Sequence, residues 1–317
     1  MLERLLPGPI SIAKSRSGLV AAIARGATIA FVDADLLDRF DGAALRIPVI
    51  AILEGKPTEA LAGSIKLLDR YPWLAHVIGG GMLATDRAKT HLQVLVERIV
   101  DGPEHSMLDN LRVGRVALLA RASRREARFE RMREFFAKQQ LSERTITAII
   151  EVAEELVMNA LYDAPVEAGF FTRPRQRNED VDLPPELACE ISYGLENGTA
   201  FVRVRDPFGA LSRARLVQVL NRCTANAVAL DESRGGAGLG LWRVFSLAST
   251  ISITVTPGSL TEFLVGIRPQ KGRVVPKQLE AAHLFFTPQS EYYESLVILP
   301  DDDHGLVDQS ITLVLCA

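Results

Sequence analysis

No run of about 18 consecutive apolar residues, the length a membrane-spanning helix requires, occurs in this chain. The N-terminus also lacks the charged-then-apolar pattern of a secretory leader, so the expectation is a soluble, cytoplasmic protein. Cysteine is scarce: Cys189, Cys223 and Cys316 stand in no paired spacing, which argues against a disulfide framework or a zinc site and suits a reducing compartment. An excess of one charge is missing too. With a net charge of -3 and a pI near 6.0, no global field favours nucleic acid. No internal repeat is visible. What is present is 317 residues, room for about two domains with a core each.

The first hundred residues alternate short apolar strands with helices. Residues 17–25 read as a helix, 28–32 as a strand ending at Asp33, 48–53 as a strand, 58–71 as a helix, 76–78 as a strand and 85–100 as an amphipathic helix. This alternation predicts a parallel sheet with helices on its faces. The order resembles a receiver domain of two-component signalling, without a diagnostic motif. A receiver carries an acidic pair after its first strand and a lysine after its last, and residues 1–15 and 76–83 supply neither. Glu54 stands where a receiver has Ser or Thr, and Asp33, aligned with the phospho-acceptor, lacks a magnesium-binding acidic cluster. The resemblance therefore implies a degenerate receiver over residues 1–105, used for protein contacts.

Residues 101–106, DGPEHS, break the pattern and set the boundary to a second domain, 106–317. Eight arginines follow between Arg112 and Arg133, interleaved with Glu126, Glu130 and Glu134. The aromatic residues nearby, Phe129, Phe135 and Phe136, read as packing residues, so the segment is expected to be a solvated basic helix and not a nucleic-acid surface.

The chemistry centres on a helix beginning near Ser142. Its apolar residues from Ile146 to Leu161 recur at the spacing of one buried face, with Glu155 and Asn159 one turn apart on the other side. A carboxylate and a carboxamide so stacked can hold a hydrated cation, or simply face solvent. A polar loop, 165–185, is long enough to be either disordered or functional. Residues 188–193 and 200–205 read as a hairpin across Asn197-Gly198 and run into Asp206-Pro207-Phe208-Gly209. A helix over 212–223 is capped by Ser212. The run Gly235-Gly236-Ala237-Gly238-Leu239-Gly240-Leu241 then leads into another helix. Its glycines let backbone amides approach phosphate oxygens, although its GxGxG spacing is neither the dinucleotide fingerprint nor a P-loop. Residues 251–256 and 261–267 form a second hairpin, with Thr261 opening the returning strand.

In this order, the Glu155/Asn159 helix, Asp206 with Gly209, the GxGLGL loop and Gly258 with Thr261 resemble the ATP-binding domain shared by histidine kinases, anti-sigma-factor kinases and gyrase, the GHKL family. The resemblance covers residues 129–267. It implies an α/β sandwich of the Bergerat type, a mixed sheet with helices on one face, binding ATP and Mg²⁺. It further implies that Asn159 ligates Mg²⁺ and that Glu155 is the general base or orients the nucleophile. By the same resemblance Asp206, supported by Thr261, accepts the adenine amine, and Gly209, Gly236, Gly238, Leu239 and Gly240 form the nucleotide-binding turns. Phe208 departs from the pattern, standing where the family has glycine, where it could crowd the base. No histidine sits in a phospho-acceptor box, so phosphorylation in cis is not expected.

Residues 268–317 fall outside the resemblance. Strands are expected at 284–286, 296–299 and 311–315, either extending the sheet or forming a contact surface. The function implied is a signalling protein that binds Mg·ATP and phosphorylates or regulates a separate partner: a kinase, a response regulator or an anti-sigma-type target. A homodimer is compatible with this. The alternative is a non-enzymatic adaptor that works by docking.

Overall fold

The structure, a computed structural model, describes Leu5, Met107 and residues 10–13, 15–39, 45–55, 59–102, 113–196, 198–224, 239–269, 279–287 and 312–316. The strands are β1 (Ile10–Ala13), β2 (Ala27–Asp33), β3 (Val49–Leu53), β4 (His76–Gly79), β5 (Val113–Leu119) and β6 (Cys189–Glu196), followed by β7 (Thr199–Asp206), β8 (Thr250–Thr256), β9 (Leu260–Ile267), β10 (Ala281–Phe286) and β11 (Thr312–Cys316). They form one mixed sheet in the order β1-β11-β2-β3-β4-β10-β8-β9-β7-β6-β5. The first five in that order are mutually parallel, and β5, β6, β7, β9 and β8 are antiparallel neighbours. The α/β class with a mixed sheet is as expected from sequence.

The helices are α1 (Arg16–Ala24), α2 (Ala60–Arg70), α3 (Gly80–Leu83), α4 (Ala88–Asp101), α5 (Arg125–Lys138), α6 (Glu143–Met158), α7 (Ala164–Glu167), α8 (Arg213–Thr224) and α9 (Leu239–Leu247). Apolar residues of α1, α2, α5, α6, α8 and α9 share one core with the sheet, defining its front face. On the back, α4 packs Leu92, Leu95 and Val96 into a separate core. β2 shows why both faces are covered there: Ala30 and Val32 enter the front core, and Ile29 and Phe31 the back one. A strand buried on both sides reads as an unbroken apolar run.

The two tail strands have specific places. β10 lies between β4, to which it is antiparallel, and β8, to which it is parallel. It therefore joins the sheet of the first hundred residues to that of the second half. β11 inserts between β1 and β2. The strand expected at 296–299 lies outside the described residues.

β5 corrects the expectation of a basic helix from Arg112 onward. Val113 to Leu119 pairs antiparallel with Gly194 to Cys189 along the sheet edge, and the helix starts only at Arg125. The alternation of Val113, Arg115, Ala117 and Leu119 with their neighbours has the period of a strand, and pairing to a distant segment decides its state.

Candidate functional site

α6 starts where the sequence says it should, with Ser142 Oγ accepting the Thr145 N–H at 3.3 Å as an N-cap. Ile146, Ile149, Ala153 and Val157 are buried against the sheet. The helix does not run on regularly. Residues Asn159–Asp163 form a π-turn, in which the Ala164 N–H reaches the Asn159 carbonyl, before α7 resumes. Pro165 explains the change. It has no N–H for the Leu161 carbonyl, and its ring would press on that group in an α-helix, so the chain widens just upstream. Such single widened turns recur at functional sites, and this one begins at Asn159.

Asn159 and Asp163, four residues apart, line a cavity with Asp206 and Thr261 from the strand ends. Asp206 and Thr261 are direct cross-strand partners of β7 and β9. Both are buried, Asp206 at 7% exposure. Burial pushes the Asp206 carboxyl up to about 6, against hydrogen bonds from the Phe208 and Gly209 N–H groups and the Thr261 side chain that favour its charge. The Phe208 N–H donates to Asp206 Oδ1 at 3.0 Å. Burial also raises Asp163, with Arg177 and Arg215 opposing and Glu155 adding to the rise. At the rim Glu167 is ion-paired with Arg215. Three carboxyl groups against one guanidinium make this a cavity that attracts hydrogen-bond donors. Its free volume is about 50 Å³, well under the ~300–1,000 Å³ of whole-ligand pockets.

The turn after Asp206 depends on glycine. Gly209 has φ +56°, and a Cβ there would overlap the Thr256 carbonyl and come within 2.7 Å of the Gly258 and Ser259 nitrogens. Gly209 thus lets the Asp206 turn close onto the β8–β9 hairpin, where the Gly258 N–H donates to the Gly209 carbonyl. Phe208 does not line the cavity. It is buried in the front core, with its ring 6.2 Å from that of Phe170.

Glu155 lies outside this cavity. Its carboxylate accepts from Arg177 at 3.3 Å and is half-buried, with Gly240 packed so close that a Cβ would overlap Oε2. Arg177 is held there by the loop that sequence left open between disorder and function. Glu179 in that loop accepts from the Gln176 N–H at 2.9 Å and from Arg173 and Arg175, and those contacts, the backbone one first, push its carboxyl down to about 2. Tyr162 donates to the Glu179 carbonyl at 2.6 Å, tying the loop to the π-turn. The loop is therefore a structured clamp on Glu155.

Leu239, 41% exposed, opens α9, and Gly240 is buried behind it. Gly236 and Gly238 lie outside the described residues. Sequence missed Asp163, Glu167, Arg177 and Arg215. Only Asp163 had a local signal, its position four residues after Asn159. Among the described residues, no group of three or more His, Cys, Asp or Glu side chains is arranged as a metal site, and no helix is long and apolar enough to cross a membrane.

No protein-family model matches the chain, and no curated protein does. Among solved structures, a chain of the SiaB–SiaC complex from Pseudomonas aeruginosa is similar at 16% identity, covering 50% of this chain and 92% of that chain with a TM-score of 0.37. A likeness of that size carries no argument about activity or partners.

Proposed function

We propose that the chain binds adenine nucleotide, as Mg·ATP, at the front-face cavity and acts in signalling on a separate protein partner. The observation supporting this is the convergence of Asn159, Asp206 and Thr261, from three distant segments, on one cavity with a buried carboxyl. Asp206 would accept the exocyclic amine of adenine, with Thr261 orienting it. Asn159 would offer one oxygen to Mg²⁺, which habitually completes its shell with phosphates and water and so needs no cluster of protein acids. Bound Mg·ATP would supply the phosphoryl group. The small free volume means that the walls must part for a whole nucleotide.

Two readings of the partner step remain, transfer to the partner or nucleotide-dependent docking without chemistry. The Glu155–Arg177 pair favours docking. A carboxylate engaged by a guanidinium must first leave it to take a nucleophile's proton, a step that transfer requires and docking does not.

The test is calorimetry with ATP and GTP, with and without Mg²⁺, on wild type, Asp206→Ala and Asn159→Ala. ATP should bind more tightly than GTP, which presents a carbonyl where adenine presents its amine. Asp206→Ala should lose about 1.5–3 kcal/mol of ATP affinity, the range for a hydrogen bond to a charged group. Asn159→Ala should lose only the Mg²⁺-dependent part. Equal affinities for ATP and GTP in the wild type would overturn the assignment.

A further inference from the structure

A second cavity lies at the carboxyl ends of β3 and β4, away from the front-face site. The chain leaves these neighbouring parallel strands towards opposite faces. After β3 it enters α2, whose Leu61, Ile65 and Leu68 pack in the front core. After β4 it passes through α3 to α4, which packs in the back core. Divergence of this kind opens a crevice at the strand ends, the place where open α/β sheets bind ligands. Here the crevice has about 360 Å³ of free volume, inside the ~300–1,000 Å³ range of small-molecule sites.

Its chemistry is asymmetric. Leu53, Met82 and Leu279 give apolar walls, and Gly79 to Gly81 form a floor without side chains. Among the described residues the charged lining is Glu54, Glu59 and Glu280 against Arg268. Glu280 is buried and already matched, by Arg87 at 3.1 Å and by Arg268. Glu54 and Glu59 are exposed at the mouth. The negative field extends to Asp33 at the end of β2, whose carboxyl is raised by burial and then by Glu54 and Asp35.

We propose that this crevice binds a small organic cation, an amine or guanidinium on a short carbon stem, with Glu54 and Glu59 facing the charge and the apolar walls taking the stem. Leu279 and Glu280 lead into β10, the strand joining the two parts of the sheet, so an occupant touches both. The proposal does not depend on the nucleotide reading.

The experiment is ligand-observed NMR and calorimetry on the full chain with agmatine and 1,4-diaminobutane, using inorganic phosphate and glucose as anionic and neutral controls. The cations should bind saturably with Kd below about 1 mM. The double variant Glu54→Gln/Glu59→Gln should weaken them at least about tenfold, the effect of losing about 1.4 kcal/mol. Gly81→Leu adds a side chain at a lining position whose Cβ meets nothing within 4 Å, and should weaken binding by narrowing the crevice. Its unliganded melting temperature and its ATP affinity should match wild type, which separates this site from the front-face one. The surface Glu pair keeps the test decisive should Gly81→Leu fail to fold. The proposal is overturned if neither cation saturates, if phosphate or glucose binds as well, or if the double Gln variant binds as wild type does.

Discussion

The two faces of the sheet bury ionisable groups in opposite ways. On the front, Asp206 is surrounded by hydrogen-bond donors, which partly compensate its burial, and its carboxyl settles at about 6. On the back, His76, His91 and His283 cluster where α4 crosses β4 and β10, with His91 and His283 Nε2 atoms 2.8 Å apart and the His76 ring tilted against that of Phe285, centroids 4.9 Å apart. Burial, reinforced by Arg98 at His76 and Arg87 at His91, pushes these down to about 3 and about 4, and His283 well below its ordinary value. The front holds a group poised to change charge near neutrality. The back holds three kept neutral. The Asp206 carboxyl keeps acceptor capacity for a ligand's donor, whereas His91 and His283 bond each other and hold α4 against β10, although both also line a back-face cavity of about 90 Å³.

The comparison breaks most visibly in acid. A histidine with a folded pKa below 6.5 supports stability that is complete above 6.5 and drains as pH falls towards the folded value. From pH 7 to 5, His76 and His91 together should cost on the order of 4 kcal/mol. His76→Phe should recover about half of that at pH 5, because phenylalanine does not titrate; it also keeps a ring beside Phe285 and removes a buried Nδ1 that has no hydrogen-bond partner. Denaturant melts of both proteins at the two pH values decide this, and parallel pH slopes would refute it.

Gly209→Ala tests the front face. The Cβ overlap with Thr256 and the positive φ should cost about 3 kcal/mol, as a strained left-handed residue and a displaced hairpin together would. A loss under about 1 kcal/mol would show that the hairpin yields.

Asp206→Asn should have a smaller effect, of opposite pH sign to the histidines. Its folded pKa of about 6 exceeds the ordinary 3.8, so the stability it contributes is full below 3.8 and lost as pH rises through about 6. Between pH 5 and 7 that loss is about 1.4 kcal/mol. Asparagine should remove the loss and be the more stable protein at pH 7. A wild type that is more stable at pH 7 than Asp206→Asn would mean the carboxylate is better solvated than its 7% exposure implies.

Much of this arrangement could be read locally. The apolar spacing from Ile146 to Val157, the Ser142 cap and the glycine before Thr199 are short-range signals, and the elements they announce are present. The same holds for the parallel strands of the first hundred residues. What could not be read depends on pairing between distant segments. Nothing in the tail says that β10 sits between β4 and β8, which creates both the histidine seam and the crevice by Glu280. The placing of Arg177 against Glu155 depends likewise on hydrogen bonds across 22 residues of chain. The π-turn had a local cause in Pro165, but a widened turn leaves no periodicity to recognise.

The smallest structural effect is expected at Gly240, where function should respond more than stability. A Cβ there meets the far end of Glu155, a flexible side chain that can swing aside, while alanine suits a helix better than glycine by up to about 1 kcal/mol. Gly240→Ala should therefore shift stability by less than about 0.5 kcal/mol. It should nevertheless detach Glu155 from its place beside Arg177. If Glu155 handles a proton in phosphoryl transfer, Gly240→Ala and Glu155→Gln should both lose at least about tenfold in turnover while ATP affinity stays near wild type, the pattern of a group acting only in the chemical step. If docking is the function, the two variants should bind ATP as wild type does, and none of the three should turn over with any partner. A wild type that turns over, matched by Glu155→Gln at the same rate, would leave Glu155 as the anchor for Arg177 and its loop, with no part in the chemistry.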